Sequence, residues 1–282
     1  MQKTFLFLIL IYLGGCNDVD KHDHSPSSNN TIQEQTKKDS LVKGNEFEEG
    51  ERLDSTRLSR ILDTALQYAT QHQNQMSFKY KFEMSPDDAF TANVEMRFGY
   101  LFEPGRKHLL ICRLVPWAAI FNIYLLENEK FRSVCEKENA RSHYLDYSLK
   151  DINGDNYKDF LAHWYSSVGC CVRNVYDASL YQQRSGEFTA EYKFMNPIFF
   201  PKEKIIRGVE YGHPGEIGLY KYKWNHLQID TIEFIYPYLK EGGKFIKTKT
   251  QQYRPTKEDG IVLNSLPKES RSIESIEWFL DY

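Results

Sequence analysis

From Met76 onward the apolar residues fall into a period of two. Phe78, Tyr80, Phe82 and Met84 alternate with Lys79, Lys81 and Glu83. Successive side chains of a strand point to opposite faces, so this alternation predicts a strand with one face buried. Comparable runs follow at 93–102, 108–115, 118–127, 131–135, 144–149, 160–165, 175–182, 188–194, 205–211, 218–224, 227–236 and 244–250. Pro104-Gly105, Asn225-His226 and Gly242-Gly243 stand between runs, where hairpins need turn residues. Nineteen Tyr and eighteen Phe supply side chains that suit a pleated, half-buried surface. The expected fold is mainly β, a propeller-like or multi-hairpin antiparallel domain spanning 51–282, with one N-terminal amphipathic helix. No strict repeat is visible, so a blade number is not readable. The 272–282 segment fits strand or helix equally.

The helix is expected at 53–73. Leu58, Ile61, Leu62, Ala65, Leu66 and Ala69 recur three and four residues apart and form one stripe. Asp54 or Ser55 is the expected cap.

The amino terminus carries a different signal. Lys3 precedes an apolar run from Phe5 to Leu13, too short to span a bilayer and right for a signal peptide. It ends in Leu13-Gly14-Gly15-Cys16, which resembles the bacterial lipobox. That resemblance implies cleavage after residue 15, lipidation of Cys16 and a cell-envelope location, anchored to a membrane, most naturally the outer membrane. Residues 17–50 are rich in Asp, Asn, Ser, Lys and Glu, with no aromatic before Phe47. They read as a flexible tether reaching on the order of 30 Å.

Between two strand runs lies Asp151-Ile152-Asn153-Gly154-Asp155-Asn156-Tyr157-Lys158-Asp159. A Ca²⁺ ion takes six to eight oxygen ligands, which a curled loop can offer from alternate positions. The expected ligands are Asp151, Asn153, Asp155 and Asp159, with the main-chain carbonyl of Tyr157. The twelfth position is Ala162, so the bidentate glutamate of an EF-hand is missing. The competing reading is a polar turn held by Asx hydrogen bonds without an ion. The loop looks like the calcium loop of FG-GAP or integrin repeats.

Five cysteines occur. With Cys16 lipidated, Cys112, Cys135, Cys170 and Cys171 remain. In an oxidising compartment Cys112 and Cys135 form either a disulfide or two buried thiols. The net charge of −3 offers no basic field for nucleic acid. No GxSxG, HExxH or phosphate-cradling glycine motif is present, and Cys171 with His163 is a weak nucleophile–base pair. Trp164, Tyr165, Tyr220, Tyr222 and Trp224 suit a sheet core before a sugar-stacking platform.

Residues 144–236 resemble a group of bacterial periplasmic and lipid-anchored proteins with one calcium loop and a small propeller-like fold. The match lies in Leu145, the 151–159 loop, Tyr176-Asp177-Ala178-Ser179-Leu180-Tyr181, Met195-Asn196-Pro197-Ile198-Phe199-Phe200 and Tyr220-Lys221-Tyr222-Lys223-Trp224. The resemblance implies a binding role toward a protein or cell-wall glycan, since some members of the group look like inhibitors of lysozyme or of other peptidoglycan-cutting enzymes and others have no known role. The departures are Asn156 where glycine is usual, and Gly169-Cys170-Cys171 in place of a Gly/Ser/Asn-rich turn. The alternatives are an enzyme acting on envelope polysaccharide, to be marked by two convergent carboxylates in a cleft, and a structural component of an envelope complex, to be marked by a large exposed apolar patch.

Overall fold

The computed structural model describes residues 30–141, 143–165, 174–274 and 276–280, with side-chain surroundings from residue 51 onward. Cys16, Cys170 and Cys171 lie outside the described residues. The chain divides into two units, Met1–Asp54 and Ser55–Tyr282. Helix α1 runs Asn30–His72, so the backbone of the expected tether is helical from Asn30 and no cap is needed at Asp54 or Ser55. The 30–50 segment is rich in Glu, Lys and Gln, which favour helix when nothing competes. Among the described residues no helix is long and apolar enough to cross a membrane.

The second unit is mainly β and antiparallel, built from three successive meanders. Sheet I orders β1 (Phe78–Met84), β2 (Ala92–Gly99), β3 (His108–Leu114), β4 (Ala118–Glu127) and β5 (Lys130–Ala140) as they occur in the chain. Sheet II contains β6 (Tyr144–Lys150), β7 (Asp159–Tyr165) and β8 (Asn174–Ser179). The small hairpin of β9 (Tyr181–Gln182) and β10 (Glu187–Phe188) follows, and β11 (Tyr192–Met195) returns to pair with β8. Sheet III again follows chain order: β12 (Pro197–Phe200), β13 (Ile205–Val209), β14 (Leu219–Asn225), β15 (Gln228–Pro237), β16 (Phe245–Thr248) and β17 (Ile261–Leu263). The segment with two readings closes as a helix, α2 (Ile276–Leu280). Among the described residues the sheets are open, and no closed propeller forms.

The alternation along each strand explains how the sheets stack. On one face of sheet I, Val94, Met96, Phe98, Leu109, Ile111 and Ile120 meet Ile61, Ala65 and Ala69 of α1. The buried Arg113 fastens this layer, its Nη1 donating to Leu58 O at 2.9 Å and its Nη2 to Asn122 Oδ1 at 2.7 Å. On the opposite face Leu110, Cys112, Phe121 and Ile123 meet Phe160 and Ala162 of sheet II. The other side of sheet II offers Leu161, Ala178 and Phe194 to Ile206, Tyr220, Trp224 and Phe234 of sheet III. Val209, Leu219, Ile235 and Phe245 then pack on Leu266, Ile273 and Phe279. Each fully buried large side chain stabilises the stack by roughly 1.5–3 kcal/mol.

Turn chemistry sets the hairpins. Asn128 and Glu129 both take positive φ between β4 and β5, the signature of a type I′ turn. At β14–β15 the paired residues are Asn225 and Gln228, so the turn is His226-Leu227, one residue beyond the expected position.

Candidate functional site

The expected calcium loop joins β6 to β7, and Lys150 pairs with Asp159 at its base. Asp159 is completely buried. Its Oδ2 accepts from Ile152 N and its Oδ1 from Tyr181 N, both at 3.0 Å. Asp151 accepts from Gly154 N at 2.7 Å and Asn156 N at 2.9 Å. Asn153 Oδ1 accepts from Asp155 N at 3.1 Å, while its Nδ2 donates to Asp155 Oδ2 at 2.9 Å. Asp155 Oδ1 accepts from Tyr157 N at 2.9 Å. The polar side chains thus brace the loop through Asx-type bonds. Asn156 takes the left-handed conformation at φ +71°, which asparagine tolerates. Gly154 is also left-handed, and a Cβ there would lie 2.1 Å from Pro201 O, so this position admits only glycine.

Burial pushes the Asp159 carboxyl up to about 8, against its two main-chain hydrogen bonds and with the charges of Asp155 and Asp151 adding to the rise. The donor set of three carboxylates, one amide and one main-chain carbonyl is all oxygen and fits a hard divalent cation. Each accepting oxygen retains a second lone pair for such an ion. As the side chains stand, they face main-chain amides of the loop and, at Asp159, of Tyr181; among the described residues no three His, Cys, Asp or Glu side chains are gathered around a common point.

Cys112 and Cys135 are both free thiols, which corrects the disulfide alternative. Cys112 pairs across to Phe121, and Cys135 pairs to Ile123 on the far side of the same strand. With β4 between them they lie two strand spacings apart, about 10 Å, beyond the reach of a disulfide. Burial pushes the Cys112 thiol up to about 12 and Cys135 up to about 11, so neither is a ready nucleophile. His163 stacks on Tyr176 with ring centroids 4.3 Å apart and bonds Asn174 Oδ1 through Nε2 at 3.1 Å. Its imagined partner Cys171 lies outside the described residues. Tyr220 and Trp224 are core side chains between sheets II and III. Trp164 is half-buried, and its Nε1 donates to Asp177 Oδ2 at 2.7 Å.

Two open hollows were not visible in the sequence. The first, about 600 Å³, lies where sheet I extends past β6, and Lys81, Glu95, Arg141, Tyr144 and Tyr147 line it. Lys81 Nζ meets Glu95 Oε2 at 2.7 Å, and Tyr147 Oη donates to Glu95 Oε1 at 3.0 Å. Burial works against the Glu95 charge, but Lys81 and Tyr147 together hold its carboxyl below the ordinary value. Arg141 and Arg97 each sit 5.9 Å from the centre of a tyrosine ring, Tyr144 and Tyr147 respectively. Cys112 forms part of the floor.

The second is a groove at one end of sheet III, formed by the β13–β14 loop and the segment after β16. It comprises adjoining hollows of about 450 and 260 Å³ that share Glu210, Tyr211 and Gln251. Burial raises the Glu210 carboxyl above its ordinary value. No signal in the sequence marks either hollow, because each draws on segments far apart in the chain. No family model matches the chain, and no curated protein or solved structure matches it either.

Proposed function

We propose that this chain is a lipid-anchored bacterial envelope protein whose work is binding, held at the membrane through Cys16 and stabilised by Ca²⁺ in the 151–159 loop. Its partner is a peptidoglycan-cutting enzyme, which it inhibits. The observation that carries the binding role is the 600 Å³ cleft between sheets I and II, a volume suited to seating a side chain or small ligand. Its charges are matched to one another, Lys81 with Glu95, and its one thiol is kept neutral by burial. It therefore offers hydrogen-bonding edges and tyrosine faces in place of a nucleophile. The lipobox supports the anchor, and the succession of three meanders supports the likeness to small propeller-like envelope proteins.

The test uses full-length protein extracted in detergent. Mass spectrometry of the purified chain is expected to find acyl groups on Cys16, absent from Cys16→Ala. Digestion of peptidoglycan sacculi by lysozyme is expected to slow at equimolar protein, and Tyr147→Ala is expected to relieve the inhibition. Unaltered digestion at a large excess of protein overturns the inhibitor role.

A further inference from the structure

We propose that the groove at the end of sheet III is a binding site for a neutral oligosaccharide, stacked on Tyr211 and Tyr253 and hydrogen-bonded by Gln251 and Glu210. This site is separate from the anchor, the calcium loop and the cleft between sheets I and II, so it stands or falls independently of them.

Three observations meet here. The first is preorganisation. Glu210 accepts from Gly218 N at 2.9 Å through Oε2 and from Gln251 Nε2 at 2.6 Å through Oε1. Gln252 N donates to Tyr236 Oη at 2.9 Å, and Trp278 Nε1 donates to Gly212 O at 3.0 Å. The two loops forming the groove are thereby fastened to each other and to the sheet. A Cβ on Gly218 would lie 2.7 Å from the Tyr236 ring and 2.8 Å from Glu210 Oε2, so the close approach requires glycine. A site held in shape before binding loses less entropy when its ligand arrives.

The second observation is aromatic exposure. Tyr253 is 70% exposed and Tyr211 48%, although both border a formed hollow. Arg254 lies 5.2 Å from the centre of the Tyr253 ring and pairs with Glu216, which positions the ring. In the adjoining hollow Tyr222 stacks on Tyr220, their centroids 4.6 Å apart. Flat rings on a polar rim suit a ligand with apolar C–H faces and hydroxyl edges, which describes a pyranose. A carboxylate oxygen and a primary amide are the groups that serve such hydroxyls, since together they accept and donate.

The third is charge. Arg254 is tied to Glu216 and Lys193 to Asp177, and the groove's other carboxylate, Glu210, is half-buried and already accepts from Gly218 N and Gln251 Nε2. No single sign dominates, so the groove selects neither phosphate nor a cation, and a neutral ligand is the chemical match. The volumes suit two or three adjoining rings better than one.

Isothermal titration of full-length protein in detergent tests this with three tetrasaccharides: β-1,4-linked N-acetylglucosamine, β-1,4-linked glucose and α-1,4-linked glucose. At least one is expected to bind saturably. Tyr253→Ala is expected to weaken it about tenfold or more, and Tyr253→Phe by less than about threefold, because the ring face survives. Tyr253 is exposed, so the melting temperature of both variants is expected to match the parent. Tyr147→Ala, in the other cleft, is expected to leave the affinity unchanged. Absence of binding by all three sugars at about millimolar concentration overturns the proposal. So does an affinity unaltered in both Tyr253→Ala and Tyr211→Ala.

Discussion

The two faces of sheet II are built on opposite plans. Toward sheet III the contact is apolar and rich in aromatic rings set among Leu161, Ala178 and Ile206. Trp224 meets Tyr192 edge-on at 5.3 Å and Phe194 at 6.0 Å, and Phe199 meets Phe194 edge-on at 5.4 Å. Toward sheet I the apolar centre of Phe121 and Phe160 is bordered by polar groups buried with their partners. Tyr181 Oη donates to Glu103 Oε1 at 2.5 Å, and Asp177 Oδ2 accepts from both Trp164 and Asn139. His108, fully buried, lies edge-on to Phe102 and Tyr181, with Nδ1 donating to Arg106 O and Nε2 without a hydrogen-bond partner. One face derives its stability from area and shape, which pH does not touch. The other depends on which of its groups carry charge.

The largest expected effect breaks the aromatic face. Trp224→Ala removes the ring on which Tyr192 and Phe194 converge and should cost about 3–5 kcal/mol in urea unfolding, with no change between pH 5 and 8. Trp224→Phe should cost less than half as much, because the indole nitrogen it removes has no partner. The polar face should respond to acid instead. Burial pushes the His108 imidazole down to about 4 from an ordinary 6.5, despite the nearby Glu103 carboxylate. The unfolded chain therefore takes up the proton first as pH falls. Stability is full above about 6.5 and is lost as pH drops through 4, by about 3 kcal/mol. His108→Leu should flatten that window, measured as unfolding free energy against pH. Next comes the loop between β6 and β7, which sends Ile152 to one face and Tyr157 to the other. Ca²⁺ at a hundred times its dissociation constant should stabilise both by about 2.7 kcal/mol, read as a higher melting temperature than in EDTA. Asp155→Ala should abolish that difference; a melting temperature indifferent to calcium in the parent leaves the loop as an Asx-braced turn. The smallest effect is expected at Lys193, whose Nζ meets Asp177 Oδ1 at 3.2 Å from a half-exposed position. Lys193→Ala should cost less than about 1 kcal/mol and fade in salt.

How much of this was legible depends on the distance over which each feature is encoded. The strand 78–84 shows its alternation openly because only one face is covered. β3 and β4 do not: His108 to Arg113 and Ala118 to Leu125 are buried without interruption, since α1 covers one face of sheet I and sheet II the other. The pattern announces a strand there but not the stack. The 151–159 loop was readable because its polar groups are contiguous, yet the need for Gly154 arises from its close contact with Pro201, 47 residues further along the chain. Cys112 and Cys135 look one hairpin apart in sequence and are separated by β4 in space. The sheet III groove gathers Glu210, Tyr211, Gln251 and Tyr253 from two loops, and no local spacing encodes that meeting.

Because the strands of each sheet follow one another closely in the chain, with only the β9–β10 hairpin intervening before β11, nearly every pairing closes a short loop. Short closures carry a small entropic penalty and form quickly. A chain delivered amino terminus first, whether from a ribosome or through a translocation channel, can complete sheet I before the residues of sheet III have emerged. The exposed face of each finished meander then becomes the template on which the next one condenses. The order of the sequence is thus also an order of assembly, and an interruption after β5 would strand a formed sheet with Phe121 facing water.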